Sequence, residues 1–264
     1  MTKTVTEKEA LIQELITIAE SHKSETGKKF EHLDNVMGAA RFVKDAFLIQ
    51  KSIKEKSLIL DLGCGVGQMS YLLRRLGFDV TASDIYPATP YYVDYGNRVK
   101  GGEVDYYECD ILKNEQHLLA ERKFDAICIS GVLEHVPDFG LFLDRIKSML
   151  HTNGKLFIFR FPNKGSWIEK INYLRFGNAV SHPLRFSPKE IHFMLRWHGF
   201  RVDEWAYEEI LPVNLRGLPQ NFIKIYHTIP WLLMPVSSIL CRIPFLNILS
   251  TSFRFVANRA VTKS

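Results

Sequence analysis

The sequence predicts an α/β fold: a seven-stranded, mostly parallel sheet with helices on both faces. Between Lys56 and Arg160, short apolar runs alternate with helical patterns, the order expected when right-handed crossovers build a parallel sheet. A glycine-rich turn, "DLGCGVGQ" at residues 61–68, follows the first of these runs directly. Near the C-terminus, "SFRFVANRAV" alternates with the two-residue period of a strand and suits an antiparallel partner at the sheet edge. A chain of 264 residues, 46% of them hydrophobic, is long enough to bury a full core.

The elements follow in order. Apolar periodicity predicts two N-terminal helices, over about 6–22 and 33–50. The first five strands are expected at Ser57–Leu60, Asp79–Ser83, Val104–Tyr107, Phe124–Ile129 and Lys155–Arg160. Helical patterns at Gln68–Leu76, Asn114–Glu121 and Phe139–Leu150 separate most of them, while 91–100 is ambiguous. Gly77 is placed to end the first of these helices, and "HTNG" at 151–154 the last. An irregular span, 161–186, leads to a helix opened by Ser187-Pro188-Lys189-Glu190. There Ser187 is an N-cap, Pro188 suits the first turn, and Glu190 completes a capping box. The sixth strand is "FRVDEWAYE", after Gly199. The expected organisation is an N-terminal helical cap over 1–50, a ligand-binding core over 51–207, an apolar lid or membrane-surface insertion over 208–250, and a closing strand and tail over 251–264.

Composition narrows the function classes. A formal net charge of +5, with acids and bases intermixed, does not call for a nucleic-acid partner. Cys64, Cys109, Cys128 and Cys241 form no CxxC pair and read as reduced thiols of a cytoplasmic protein. The N-terminus lacks the unbroken apolar stretch of a signal peptide. Ile225–Cys241 carries no formal charge, but its 17 residues fall short of the ~20 needed to span a bilayer. Pro230 and Pro235 interrupt it as well. No histidine, cysteine and carboxylate cluster has metal-ligand spacing, so no metal is expected. No GxxxxGK[ST] phosphate loop is present.

In open sheets ligands bind beyond the carboxyl ends of the strands, so the loop after the first strand is the natural site. A dinucleotide loop would need glycines at 63, 65 and 68, whereas the chain has Gly63, Gly65, Gly67 and then Gln68. Asp61, just before the loop, would repel a pyrophosphate and suits a ligand carrying positive charge. Asp84 ends the second strand 21 residues after Gly63, where a carboxylate can accept from two ribose hydroxyls. Asp110 follows the third strand and could accept from an adenine amino group while the Ile111 backbone reads the ring edge. Three strand-end carboxylates around a glycine loop fit a sulfonium nucleoside better than a pyrophosphate.

"LILDLGCGVGQ", "VTASDIYP", "YYECDIL", "FDAICISGVLEHVPD" and "RFSPKEIHFMLRWHGFRVDEW" occur in this order. Together they resemble the successive motifs of the class I S-adenosylmethionine-dependent methyltransferases, whose sheet is Rossmann-like. The resemblance is closest to the subgroup of ubiquinone-biosynthesis O-methyltransferases and related small-molecule methyltransferases, and covers roughly residues 55–207. It implies that Gly63, Gly65 and Gly67 line the methionine part of S-adenosyl-L-methionine, that Asp84 holds the ribose and that Asp110 holds the adenine. Ser130 and Gly131 would contact the cofactor, and Asp61 would orient the loop or sit near the amino group. Arg41 is either a solvated helix residue or, as the resemblance suggests, a partner of the cofactor carboxylate.

Methyl transfer to oxygen needs in-line positioning and a base for the hydroxyl proton. His135, just past the fourth strand, is the first candidate, with a loop-bracing role beside Glu134 as the alternative. His182, in "SHPLRFS", is the second. The expected acceptor is a small or lipid-linked molecule. The expected location is cytoplasmic, with peripheral contact at the inner face of a membrane through the apolar segment 221–249. Two other readings are an NAD(P)-dependent oxidoreductase or epimerase, opposed by Gln68 and by the lack of a Tyr-x-x-x-Lys pair after the fourth strand, and a non-catalytic cofactor-binding protein.

Overall fold

The computed structural model describes residues 2–27, 30, 33, 35–85, 104–113, 119, 121–177, 182, 184–213, 215 and 218–260. Helices α1 (Thr2–Thr26) and α2 (Val36–Ser52) precede β1 (Leu58–Leu62), α3 (Gln68–Arg75), β2 (Asp79–Asp84) and β3 (Asp105–Glu108). Then come β4 (Phe124–Ser130), α4 (Phe139–Met149), β5 (Leu150–Pro162), α5 (Trp167–Phe176), α6 (Pro188–Trp197) and β6 (Phe200–Glu208). Two short helices, α7 (Gln220–Thr228) and α8 (Pro230–Leu240), lead to β7 (Ser252–Arg259). The seven strands form one sheet in the order β3-β2-β1-β4-β5-β7-β6. The pairs from β3 to β5 are parallel, and β7 is antiparallel to both of its neighbours.

Strand alternation divides the core between the two faces. Ile59, Ala126, Cys128, Phe157 and Phe159 pack with the apolar sides of α1, α2 and α3. Leu60, Ile127, Ile129, Leu156 and Ile158 pack with those of α4 and α6. Truncating one of these fully buried leucines to alanine would cost about 2–5 kcal/mol. The four cysteines are free thiols, three of them buried.

Several local expectations hold. Gly77 takes φ +88° just after α3, and Ser187 and Glu190 form a complete capping box at α6. Others are corrected. "HTNG" does not cap α4, which ends at Met149, and residues 150–154 run extended as the start of β5. The span 161–186 is not wholly irregular. It contains α5, capped by Ser166, whose hydroxyl accepts from the Glu169 N–H at 3.2 Å. The closing strand is antiparallel as expected, but it lies inside the sheet between β5 and β6, and β6 forms the edge. Its burial explains the placement, since Phe253, Phe255 and Ala257 are fully buried. The expected helix at 114–121 and the ambiguous stretch 91–100 fall almost wholly outside the described residues.

Candidate active site at the carboxyl edge of the sheet

The glycine loop is fastened to the neighbouring strand by its backbone. Gly63 and Cys64 donate to the Ser83 carbonyl at 2.7 and 3.0 Å, and Gly65 N–H donates to Asp84 Oδ2 at 2.8 Å. Gly63, Gly65 and Gly67 all take positive φ, between +56° and +86°, a region that costs an L side chain roughly 1–2 kcal/mol. At Gly63 space forbids a side chain too, because an added Cβ would lie 2.3 Å from Val132 Cγ2. Above Gly65 an added Cβ would meet nothing within 4 Å. The loop is therefore packed from below and open above, so a ligand can approach the backbone.

Asp61 lies beneath this loop and is buried, accepting the Ser70 hydroxyl at 2.6 Å. Burial raises its carboxyl to about 6, against the pull of Ser70. Through Ser70 it braces the start of α3. Asp84 is at the end of β2 with its carboxylate on the Gly65 amide. Asp110, two residues past β3, accepts the Leu112 amide at 3.0 Å and faces Lys113 at 3.5 Å. Ile111 beside it is buried. Asp61, Asp84 and Asp110 therefore follow successive positions along one edge, from β1 to β3.

Next to the loop is a cavity of about 410 Å³. Gln68, Ser130, Gly131 and Arg41 line it, together with His135, Glu134, Glu169 and His182. Pro162, Ile168, Pro212 and Val213 supply apolar wall. Gly63, Gly65, Asp84 and Asp110 are not among its lining residues. Arg41 is not a solvated helix residue. It is largely buried at the cavity, its Nη1 3.4 Å from Glu209 Oε2 and its Nε without a hydrogen-bond partner. The Gln68 Oε1 is also buried and unpartnered.

His135 ends a short 3-10 turn, Leu133–His135, just beyond β4. The residue is exposed, yet partial desolvation and the charge on the neighbouring His182 lower its pKa below the ordinary histidine value. The two ring centroids are 6.3 Å apart. His182 is flanked by carboxylates, with Nδ1 3.4 Å from Glu169 Oε1 and Nε2 4.0 Å from Glu134 Oε1. Glu169 raises the His182 pKa against the effect of burial. Glu134 is itself pushed up by burial. One imidazole is thus biased toward neutrality and its neighbour toward the cation.

Sequence reasoning missed three groups here. Arg160, at the end of β5, takes φ +55° where the β5–β7 register shifts between Ile158 and Phe161. Such a bulge re-aims a side chain. The guanidinium lies 3.8 Å over the Phe42 ring, pairs with Asp45 at 2.5 Å and donates to the Ser130 hydroxyl. Nothing in "FIFRFPN" announces the bulge. Glu209, at φ +59° after β6, was missed because its partner Arg41 lies 168 residues away in the chain. Glu169 could have been found, because Ser166-x-x-Glu169 carries the spacing of a capping box.

A cationic nucleoside fits this edge. The donor set is a backbone loop open above Gly65 with strand-end carboxylates, and position 68 lacks the third glycine of a pyrophosphate loop. The family described as a methyltransferase domain matches residues 31–204. The ubiquinone biosynthesis O-methyltransferase of Xanthomonas axonopodis pv. citri is 36% identical over 102 residues, 38% of this chain and 41% of that enzyme. The enzyme of the same description from Pasteurella multocida is 36% identical over 107 residues, 38% of this chain and 44% of its own length. The chain therefore spans less than half of each of these relatives. Among solved structures, the 1,6-didemethyltoxoflavin-N1-methyltransferase of Burkholderia thailandensis, with bound S-adenosylhomocysteine, has the same fold. Its TM-score is 0.55 at 16% identity, covering 95% of this chain and 88% of that one. With the family match spanning well over half of its length, this chain belongs to the methyltransferase-domain family.

Proposed function

We propose that the protein transfers a methyl group from S-adenosyl-L-methionine to a hydroxyl oxygen of a small, largely apolar acceptor. One observation carries this reading: the cavity joins the glycine loop's end, at Gln68, and the end of β4, at Gly131, to a histidine biased toward the neutral state. The O-methyltransferase relatives, though matched over only part of their length, support oxygen as the nucleophile.

S-adenosyl-L-methionine, when bound, supplies an electrophilic methyl group on a sulfonium. Gly63, Gly65 and Gly67 leave room for its methionine part, and Asp84 and Asp110 offer acceptors for ribose and adenine. Asp61 keeps the loop in shape from below. Ser130 and Gly131 line the passage to the acceptor, and Arg41 offers an unpaired Nε–H toward a carboxylate. The acceptor lies against Ile168, Pro212 and Val213, which exclude water from the reacting oxygen. His135 takes the hydroxyl proton, and its lowered pKa keeps it unprotonated at neutral pH. His182, held by Glu169, orients the oxygen and disperses its growing negative charge.

The test pairs calorimetry with transfer of a labelled methyl group. S-adenosylhomocysteine should bind and NAD should not, and extracts incubated with labelled cofactor should yield an acceptor heavier by one methylene. Tight NAD binding would overturn the assignment. Cofactor binding without a methylated product in any extract would leave a binding protein of this fold.

A further inference from the structure

From residue 210 to the C-terminus the sequence contains no aspartate or glutamate. The same stretch places large apolar side chains in solvent: Trp231 is 72% exposed and Phe245 86%. Phe245 also takes φ +68°, a genuine outlier for a bulky residue, and strain of that kind is retained where it serves a function. A second exposed apolar face lies on α5. Its Ile168 and Glu169 line the cavity, while Ile171 and Leu174, the latter 82% exposed, point elsewhere.

These pieces are tied together. Asn163 donates to the carbonyls of Ile248 and Ser250 at 2.7 and 2.9 Å, fastening the start of α5 to the turn before β7. Trp167 Nε1 donates to the Ile210 carbonyl at 2.8 Å, and Ser237 of α8 accepts from the Ile210 and Leu211 amides. The Tyr226 hydroxyl of α7 donates to the Pro212 carbonyl at 2.8 Å. The segment joining them, Pro212–Val213, is also cavity wall. The elements that carry the apolar side chains are therefore tied to the wall of the acceptor cavity.

We infer that α5, α7, α8 and the turn after them form a docking face for an anionic phospholipid bilayer. The charges select this occupant. Lys170, Lys224 and Arg242 are exposed on these elements, and the one acid of α5, Glu169, is turned into the cavity. Arg254 does not join them, because Glu204 and Glu208 hold it at 2.6 and 3.3 Å. A face bearing only cations repels a second copy of itself, and anionic headgroups match it. Among the described residues no helix is long and apolar enough to cross a membrane. Helices of nine and eleven residues, separated at Pro230, suit the interfacial plane. The consequence for the substrate rests on the acceptor cavity proposed above: docking would turn its α5 wall toward the lipid, so that an amphiphilic acceptor enters from the bilayer.

The experiment is co-sedimentation of the full chain with vesicles of phosphatidylcholine, alone or mixed with phosphatidylglycerol, at low and high salt. The protein should bind the anionic vesicles and be released by salt, with a blue shift of Trp231 fluorescence that a Trp231→Phe variant lacks. Replacing Lys224 and Arg242 by alanine should weaken binding about 10- to 30-fold. The triple variant Leu174→Ser, Trp231→Ser, Phe245→Ser should abolish it while keeping the melting temperature and S-adenosylhomocysteine affinity. Absence of binding at either salt, equal binding to neutral vesicles, or a dimer that buries this face would overturn the docking proposal. Loss of S-adenosylhomocysteine binding by the parent chain without vesicles would instead overturn the functional reading alone.

Discussion

The cofactor side of the site and the acceptor side are built by different means. On the cofactor side each loop is fastened by its own backbone to the next strand: Gly63 to Ser83, Gly65 to Asp84, and Gly131 to Phe159 at 3.2 Å. Sheet register places these groups, with the Asp84 carboxylate on the Gly65 amide and Asp61 bracing from below. On the acceptor side placement depends on side chains far apart in the chain. Glu134, Glu169 and His182 come from three separate segments, and at the boundary with the cofactor side Glu209 holds Arg41 from 168 residues away. The first construction depends on few side chains beyond the Asp61–Ser70 brace and Asp84. The second couples every member to its neighbours, so substitutions there should be non-additive. Cofactor-side changes should act on cofactor affinity, and acceptor-side changes on turnover.

The sharpest test of that division is His135→Ala. Turnover should fall about 10²–10⁴-fold, with S-adenosylhomocysteine affinity by calorimetry nearly unchanged. A collapse of cofactor binding would mean that the turn at Leu133–His135 supports both halves, and the division would fail. Gly63→Ala should do the reverse of a functional mutation and lower the stability of the fold. The left-handed backbone costs roughly 1–2 kcal/mol, and displacing Val132 adds about 1–3 kcal/mol of overpacking. Thermal unfolding would show it, and a wild-type melting temperature would mean that the loop has room to move.

Asp84→Ala comes next in size. If the carboxylate accepts from ribose hydroxyls, its charge-assisted bonds are worth about 1.5–3 kcal/mol each. Cofactor affinity should therefore drop roughly 10- to 150-fold. Part of any loss reflects the Gly65 amide, which Asp84 also holds. The variant Asp84→Asn, which keeps an oxygen for that amide, separates the two contributions.

The same contrast explains what could be read from the residues. Strand–loop–helix units are sequence-local, so the fold, the glycine loop and the strand-end acids at 61, 84 and 110 were all legible from alternation, turn chemistry and spacing. The position of β7 was not, because alternation marks a strand without naming its neighbours. Arg160 was hidden by a bulge that only pairing with β7 creates. Arg41 looked like one more basic residue on a helix until Glu209 and the cavity came against it. Long-range pairing leaves no periodicity in a sequence, and the acceptor side consists of little else.

The smallest effect decides which histidine is the base. Glu169→Gln removes the charge that raises the His182 pKa, so His182 should titrate lower. His135 is held down by partial desolvation and by the charge on His182, so it should move the opposite way, toward its ordinary value of about 6.5. A base must be unprotonated, which makes the acid limb of kcat/KM follow its pKa. If His135 is the base, the limb shifts to higher pH in the variant; if His182 is, to lower pH. Stability gives an independent reading of the pair. His182, raised in the fold, contributes stability that is fully present below about pH 6.5 and is lost as pH rises through its folded value. Glu169 is lowered, burial being outweighed by His182, and its contribution is lost as pH falls through its folded value. Between those limits the variant should be less stable than the parent, and above the folded pKa of His182 the difference should shrink. With the His182 side chain 39% exposed, solvent screening keeps the stability loss small, about 0.2–1 kcal/mol. Opposite signs make even a small limb shift decisive.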